Sequence, residues 1–424
     1  MPRRTTAEAG EARLAPTIRL IRGVTLIDGH GGEPARDAAV VVEGDRIAWV
    51  GPAGQAPAVG DGVVVEGRGL TLLPGMINCH AHLCNDGAAD LFAQVVNDTV
   101  PIATIRAVLN ARLALGAGVT TVRDCGAASQ IALEISKAID GGLIEGPRVR
   151  AAGRVVTMTG GHGHFIGREA DGPDEVRKAV RAEIKGGAHF IKVMATGGVL
   201  TPGVDPSQTT FQPEELQAAV EEAHKAGRPI ASHAIGNRGI KNALRAGIDS
   251  VEHGFYLDDE AINLALKNDS YMVPTLIAVD QIVNNGRDRG IPEWVVRKAE
   301  SESGHHRESF ALAVRSGMRI AAGTDAGTPF NPHGDLALEL AKMVEFGLPP
   351  MLALVAATSN AARLLRMDDQ IGSVEQGKLA DVILVDGNPL LDIGVMRRPS
   401  FVMKSGRIVR NQVATGAPAE VGRT

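Results

Sequence analysis

The alternation of short apolar strands with amphipathic helices between residues 76 and 366 constrains the fold of this chain most. Apolar runs such as GVTTVRD, FIKVMATGG, PIASHA and RIAAGTD recur there, and helical segments such as PDEVRKAVRAEIKGG lie between them. Repeated strand–helix units over roughly 290 residues are typical of a (β/α)8 TIM barrel. An open doubly wound sheet is the alternative, but no GxGxxG motif follows the first strand. We therefore predict an α/β fold built on a TIM barrel.

The two ends of the chain have a different pattern, in which short β-type runs alternate with glycine turns. This pattern extends from Ile18 to about Leu73 and returns in GKLADVILVDGNPL and PSFVMKSGRIVRNQ near the other end. We predict that residues 18–75 and 367–415 form one small composite β-sandwich domain beside the barrel of residues 76–366. Residues 1–17 and 416–424 are predicted to be flexible tails.

Charge and composition exclude several classes of function. The chain has 44 Lys and Arg and 49 Asp and Glu, a net charge of −5, so we expect no nucleic-acid surface and no polybasic membrane patch. No run of 18 apolar residues is present, and the basic N-terminus lacks the apolar core of a signal peptide. Cys79, Cys84 and Cys125 form no CxxC pair. We therefore expect reduced thiols in a cytoplasmic protein, although Cys79 and Cys84 flank the histidine motif described next.

Ionisable side chains lie at the carboxyl ends of several predicted strands. The first barrel strand ends in PGMINCHAH, where His80 and His82 point to the same side of an extended strand. The carboxyl ends of TIM-barrel strands meet on one face, which carries the active site. Four histidines, one lysine and one aspartate in such positions are hard to explain by packing alone. They predict a metal site formed by His80, His82, Lys192, His233, His253 and Asp325.

The lysine of this set needs its own explanation. Lys192 lies in FIKVMATGG, where the other residues are apolar or small. An ammonium group cannot ligate a cation, and burying one without a partner is costly. A buried lysine can lose its charge and react with CO2 to form a carbamate, whose two oxygens can bridge two divalent ions. A simple ion pair with Asp325 is the alternative.

The motifs PGMINCHAH, IKVMATGG, SHA, VEHG and GTDAG, in this order, resemble those of the amidohydrolase superfamily. The resemblance covers essentially the whole chain and is strongest to the imidazolonepropionase-related group, which includes Xaa-Pro dipeptidases and arginine carboxypeptidases. It implies a carbamylated Lys192 that bridges two divalent metals, most often zinc, and a homo-oligomer. The first metal would be held by His80, His82, Lys192 and Asp325, and the second by Lys192, His233 and His253.

This resemblance implies hydrolysis of an amide bond in a small molecule by a metal-bridging hydroxide. Dipeptides, N-acyl amino acids or ochratoxin-type amides are the expected substrates, and Asp325 would transfer the proton to the leaving nitrogen. A cyclic-amide hydrolase of the imidazolonepropionase type is the alternative, but close imidazolonepropionases look mononuclear and lack the bridging lysine. A metal-free scaffold protein is an alternative of another class, which the complete set of six ligand positions disfavours.

Three further residues are predicted to contact the substrate. His162 lies in the glycine-rich loop VTMTGGHGHF, and in dipeptidase relatives the histidine of TGGH polarises the substrate carbonyl. Arg238 is a candidate for binding a substrate carboxylate, with an exposed arginine at a helix start as the alternative. His333 follows the Asp325 strand, in TPFNPHG.

The chain departs from its relatives around the predicted substrate pocket. Ile235 occupies a position where dipeptidase relatives often carry tyrosine, and the loop after His162 is shorter than in some prolidase relatives. Both departures leave the identity of the substrate open. His164 is predicted to be a loop or solvent-facing residue, and His305 and His306, in the polar run SESGHHRES, are expected on a solvated helix face.

Overall fold

In the computed structural model, the described residues are 18–286, 288–413 and 415–416. The predicted tails 1–17 and 416–424 lie outside them, apart from residue 416. The strands are β1 (Ile18–Leu26), β2 (Ala35–Glu43), β3 (Arg46–Pro52), β4 (Val63–Glu66), β5 (Leu70–Pro74), β6 (Met76–Ala81), β7 (Val119–Asp124), β8 (Arg148–Ala151), β9 (Val155–Thr157), β10 (Gly167–Glu169), β11 (Ile191–Met194), β12 (Ile230–Ala234), β13 (Ser250–His253), β14 (Tyr271–Val273), β15 (Arg319–Ile320), β16 (Val382–Asp386), β17 (Phe401–Lys404), β18 (Arg407–Asn411) and β19 (Thr415–Gly416).

The helices follow the strands of the middle region. They are α1 (Leu91–Asn97), α2 (Val100–Gly116), α3 (Ile131–Asp140), α4 (Gly172–Gly186), α5 (Pro213–Lys225), α6 (Asn237–Ala246), α7 (Asp259–Asn268), α8 (Leu276–Asn285), α9 (Glu293–Arg315), α10 (Leu336–Glu345), α11 (Pro350–Ala356) and α12 (Ser359–Leu364). Within the described ranges, none of them combines the length and the apolar character needed to cross a membrane.

Strands from both chain ends form one mixed sheet. Its order is β18-β17-β16-β5-β1-β2-β3, and β4 pairs with both β1 and β19. The register joins the two ends directly, because Leu384 of β16 lies opposite Leu72 of β5 in an antiparallel pair. Residues on one face of this sheet, such as Ile21, Val40 and Phe401, are fully buried in a common core. The predicted pairing of the two ends is confirmed, and the sandwich arrangement stays a prediction.

The middle of the chain forms two parallel sheets. The larger has the order β10-β9-β11-β12-β13-β14-β15 and the smaller the order β6-β7-β8. Backbone hydrogen bonds join them, from Cys79 N to Ala322 O (2.8 Å) and from His189 N to Ala151 O (2.9 Å). The predicted α/β class with parallel strands is confirmed, and the closure into one eight-stranded barrel stays a prediction.

Capping residues position the helices that connect these strands. Helix α5 begins with a capping box, in which the Glu215 side chain accepts a hydrogen bond from Gln212 N (2.6 Å). Helix α4 is followed by Gly187 as its C-terminal cap, whose φ of 101° is accessible mainly to glycine. Each helix returns the chain to the amino end of the next parallel strand. The carboxyl ends of β11, β12 and β13 therefore lie side by side.

Candidate functional site

All six predicted metal ligands line one cavity at the carboxyl ends of the parallel strands. His80 lies in β6 and His82 follows it, while Lys192, His233 and His253 lie in β11, β12 and β13. Asp325 follows β15, which is shorter than predicted because it ends at Ile320. The cavity measures about 80 Å³ and also contacts His162. The convergence expected from the strand-end positions is therefore observed.

The imidazole rings form a continuous row across the floor of the cavity. The ring centroid of His80 lies 5.5 Å from that of His82 and 5.0 Å from that of His253. His233 continues the row, with its centroid 4.6 Å from that of His253 and 4.3 Å from that of His162. Five rings from four segments thus share one small space.

Asp325 and Lys192 lie against one end of this row. The Oδ1 atom of Asp325 is 3.2 Å from His82 Nε2 and 3.4 Å from His80 Nε2. Lys192 is 1% exposed, and its Nζ atom lies 3.4 Å from His80 Nε2. In the described part of the chain, Lys192 has no carboxylate oxygen within 4.0 Å. The alternative of a simple Lys192–Asp325 ion pair is therefore wrong.

Hydrogen bonds behind the rings fix which nitrogen carries the proton. His82 Nδ1 lies 2.8 Å from Gly126 O, and His233 Nε2 lies 2.8 Å from Gly197 O. Since a carbonyl oxygen only accepts, the ring N–H must point to it, and in a neutral ring the other nitrogen is left without a proton. Histidines that bind metals are oriented in the same way by an acceptor behind the ring.

The charge states of these groups suit cation binding. Burial lowers the pKa of His80 to about 4, and burial also lowers the pKa values of His233 and His253 well below their ordinary range. Burial alone would raise the pKa of Asp325, but the neighbouring His80 and His82 outweigh it and the pKa is lowered. Burial alone would lower the pKa of His82, but the hydrogen bond to Asp325 outweighs it and the pKa is raised. At neutral pH the cavity therefore holds neutral His80, His233 and His253 beside a carboxylate, the ligand forms that zinc requires.

Two site residues, Arg123 and Glu252, were missed in the sequence. Glu252 Oε2 accepts a hydrogen bond from His80 Nδ1 (2.7 Å), and Arg123 Nη2 donates to Glu252 Oε1 (2.7 Å). All three side chains are buried. Both could have been identified in the sequence, because Arg123 and Glu252 are charged residues inside the apolar runs GVTTVRD and SVEHG. Lys192 was identified in the same way inside FIKVMATGG.

Several residues at the site adopt left-handed backbone conformations, which are unfavourable for residues other than glycine. The φ angles are 71° at His253, 54° at Thr275 and 58° at Asp325. Such a conformation costs roughly 1 kcal/mol or more in a residue with a Cβ atom and is retained where a function needs it. Two predicted ligands and Thr275, which contacts one of them, are thus among the ten non-glycine residues with a positive φ in the described part of the chain.

His162 lies at the rim of the imidazole row. Its Nδ1 atom is 2.7 Å from the Thr201 hydroxyl oxygen, and burial lowers its pKa to about 3. A Cβ atom on Gly198 would lie 2.4 Å from the His162 ring, so only glycine lets this loop pass the ring. A neutral His162 therefore faces the cavity, as its predicted substrate contact requires.

Apolar side chains form the walls above the polar floor. Within the described residues, the charged groups of the lining are Lys192 and Asp325. The walls consist of Leu91, Phe165, Ile166, Met194, Val199, Leu200, Ile235, Phe255, Ala278, Val279 and Ile282. Such walls favour a substrate that carries an apolar group.

The model of the amidohydrolase family matches residues 71–409, which is most of the chain. The chain belongs to the amidohydrolase family. It is 34% identical to ochratoxinase from Aspergillus niger over 93% of this chain and 87% of that protein. It is 28% identical to imidazolonepropionase from Micrococcus luteus over 86% of this chain and 91% of that protein. Among solved structures, it is similar to a Xaa-Pro dipeptidase with bound methionine in the active site, with a TM-score of 0.87 and 35% identity over 93% of this chain and 100% of that one. This chain is therefore a hydrolase.

Two residues predicted to bind substrate do not line the cavity of this amidohydrolase. Arg238 is exposed in the first turn of α6, and the alternative of an exposed helix-start arginine describes it. His333 is buried, but its Nε2 atom lies 2.9 Å from Asn85 O and it does not reach the lining. The sequence does not show how α6 is rotated or which path the loop takes, and these two features direct the side chains away from the cavity.

The expectation for the histidine pair of α9 was half wrong. His305 is exposed as predicted, but His306 is buried. The Nε2 atom of His306 lies 2.7 Å from Pro274 O, and its ring stacks on Phe255 with centroids 3.9 Å apart. His164 is only half-buried in its loop. The three cysteines are free thiols and do not line the cavity.

We predict that His306 makes the fold of this amidohydrolase sensitive to acid. Burial lowers its pKa to about 3, against 6.5 when exposed. Below pH 6.5 the unfolded chain takes up a proton that the folded chain refuses, so stability falls by about 1.4 kcal/mol per pH unit from this group alone. In urea titrations between pH 7 and 4, His306→Gln should lose less stability than the wild type. The exposed His305→Gln is the matched control, and equal slopes for both variants would contradict the prediction.

Proposed function

We propose that this amidohydrolase cleaves an amide bond in dipeptides, N-acyl amino acids or ochratoxin-type amides at a centre of two divalent metal ions. The observation that supports this best is the meeting of imidazoles, one carboxylate and a buried lysine without a carboxylate partner in one cavity. Ligand atoms of His80, His253 and Asp325 all lie within 4.8 Å of one another. A set of nitrogen and oxygen donors at this spacing fits zinc.

The proposed ligand sets divide the row of histidines. His80, His82 and Asp325 would hold one ion, and His233 and His253 would hold the other. Lys192 would join both after its neutral amine adds to CO2, with release of one proton, to give an anionic carbamate. Such a centre supplies an activated water molecule and polarises the amide carbonyl.

The residues of the chain perform the remaining steps in this proposal. Asp325 accepts the proton of the attacking water and returns it to the leaving amide nitrogen. His162, neutral and held by Thr201, orients the substrate carbonyl at the rim. Glu252 and Arg123 keep His80 in its orientation from behind.

The apolar walls indicate which amides fit. Phe165, Ile235 and Phe255 offer contacts to an aromatic or branched aliphatic group. Ochratoxinase and the Xaa-Pro dipeptidase are similar over nearly the whole chain, which supports an amide next to an amino acid. We therefore propose substrates in which an apolar amino acid or acyl group flanks the bond that is cleaved.

A substrate panel tests this proposal. Zinc-loaded protein would be assayed with dipeptides and N-acyl amino acids that carry either apolar or charged side chains, and with cyclic amides. We expect kcat/KM to be highest for the apolar linear amides. Opening of cyclic amides without cleavage of linear ones would instead support the imidazolonepropionase-type alternative, which the similarity to imidazolonepropionase makes the second candidate.

The domain organisation belongs to the same proposal. We propose that the two parallel sheets form one (β/α)8 barrel over residues 76–366. Residues 18–75 and 367–415 would form a β-sandwich domain beside it. The hydrogen bonds between the two parallel sheets and the pairing of β5 with β16 support this division.

We also propose that the protein self-associates through α2. Ile105, Leu109 and Leu113 are four residues apart and 54–58% exposed, so they form an apolar stripe on one face of this helix. A second copy of the same stripe is its simplest complement.

Light scattering should give a mass above that of one chain, and Leu109→Glu should lower that mass. The control Leu266→Glu, at an exposed position in α7, should leave the measured mass unchanged. A monomeric wild type would contradict the proposal.

A further inference from the structure

Glu339 is a buried carboxylate that neither the metal ligands nor the cavity walls include. It lies in α10 and is 0% exposed. Its Oε1 atom accepts a hydrogen bond from Leu276 N (2.9 Å), and its Oε2 atom accepts one from Ile277 N (2.8 Å). Within the described residues it has no ion-pair partner within 4.0 Å. The whole carboxylate is thus committed to two backbone amides.

Those two amides begin helix α8. The first N–H groups of a helix have no partner inside it, and the helix dipole favours a negative group there. The cap position itself is Thr275, whose φ of 54° places it in the left-handed region and whose hydroxyl does not cap the helix. Glu339, from another helix, supplies the acceptors that Thr275 does not, so it holds the strained turn in place.

The Thr275 hydroxyl is instead directed at the predicted metal centre. It donates a hydrogen bond to Pro274 O (2.7 Å) and lies 2.7 Å from His253 Nδ1. Because its single proton goes to Pro274, the hydroxyl oxygen must accept the proton of His253 Nδ1. His253 Nε2 is therefore the unprotonated nitrogen, and the position of Thr275 decides where it points.

We propose that Glu339 is a positioning residue for His253, acting through the start of α8 and Thr275. By binding the two amides after Thr275, it fixes the turn that orients the imidazole. The same turn carries Ala278 and Val279, which line the cavity wall, so one carboxylate sets both a ligand and part of the substrate wall. This role rests on the proposed metal function of His253.

Burying Glu339 is energetically unfavourable unless its two hydrogen bonds offset the loss of water. Burial raises the pKa of Glu339, whereas the N–H groups of Ile277 and Leu276 oppose that shift by stabilising the carboxylate. A buried acid without a cation is costly unless it accepts good hydrogen bonds. A glutamine in its place could accept from only one of the two amides, because its NH2 group would face the other N–H.

Zinc affinity tests the proposal directly. Glu339→Gln should weaken binding of the more weakly held zinc ion by about 10- to 100-fold, as loss of an orienting group does at metal sites, measured by competition with a chromogenic chelator. Its kcat should fall with the occupancy of that site, while KM at saturating zinc changes little. Glu345→Gln is the matched control, because Glu345 lies on the same helix but is half exposed and pairs with Lys342. This control should change zinc affinity less than about two-fold.

Two further variants keep the outcome decisive. Thr275→Val removes the acceptor for His253 but keeps the shape and should weaken zinc as Glu339→Gln does, whereas Thr275→Ser should retain affinity. The double variant Glu339→Gln/Thr275→Val should bind zinc no more weakly than the single variant with the lower affinity. Both substitutions disturb the same series of contacts, from Glu339 through Thr275 to His253. If Glu339→Gln does not fold, Glu339→Asp, which keeps an anionic acceptor one methylene shorter, takes its place with the same expectation.

The two failures can be told apart. A folded Glu339 variant with wild-type zinc affinity would overturn the positioning role whatever the enzyme hydrolyses. Wild-type protein that binds zinc as predicted but cleaves no amide would overturn only the proposed function.

Discussion

Replacing Asp325 by asparagine is expected to lower kcat by about 10²- to 10⁴-fold, the contribution of a positioned proton-transfer group. Asparagine has the same shape, but it cannot accept a proton from water and return it to the leaving nitrogen. KM should change much less, because the apolar walls that bind the substrate stay intact. Steady-state kinetics with an apolar N-acyl amino acid would measure both constants.

Zinc content must be measured on the same sample, because Asp325 is also a proposed ligand. Asp369→Asn, at an exposed position, is the matched control and should keep wild-type kcat. If Asp325→Asn retained its zinc and kept kcat within about two-fold, the proton-transfer role would be wrong.

Replacing Lys192 by alanine should have an effect at least as large, with loss of activity by about 10³-fold or more. Without Lys192, the two proposed ions have no shared anionic ligand, and five side chains must hold two doubly charged cations close together. Zinc binding should weaken as well. Acetate should restore part of the activity, because it fits the space left by the side chain and offers the two oxygens that a carbamate would provide.

Chemical rescue separates this account from a structural role for the lysine. Acetate should act on Lys192→Ala and leave the wild type unaffected. Lys192→Met fills the space with an apolar chain of similar length, so it should be inactive and should not respond to acetate. Wild-type activity in Lys192→Ala would contradict the proposed bridge.

The sequence alone was sufficient to predict the six residues on the cavity floor. A parallel α/β fold places the carboxyl ends of its strands at one edge, so the position of His233 or His253 at the end of an apolar run already implied its location. The pairing of the chain ends followed from their shared β-type pattern. These features depend on local periodicity, which a single sequence records.

The residues behind the floor depend on which elements pack together, and local periodicity does not record that. Glu339 reaches α8 from α10, across 63 positions of the chain, and no spacing rule connects them. Arg238 was misplaced because the rotational phase of a helix start was unknown. His306 was misjudged from its polar neighbours, although the buried residues Ala299, Phe310 and Ala313 mark the apolar face on which it lies.

The most direct test of the central claim is the number of zinc ions retained per chain, measured by elemental mass spectrometry after loading and removal of free metal. The six converging side chains should retain about two ions per chain, and activity should rise with that number. Full hydrolytic activity in protein that retains no divalent ion would contradict the account.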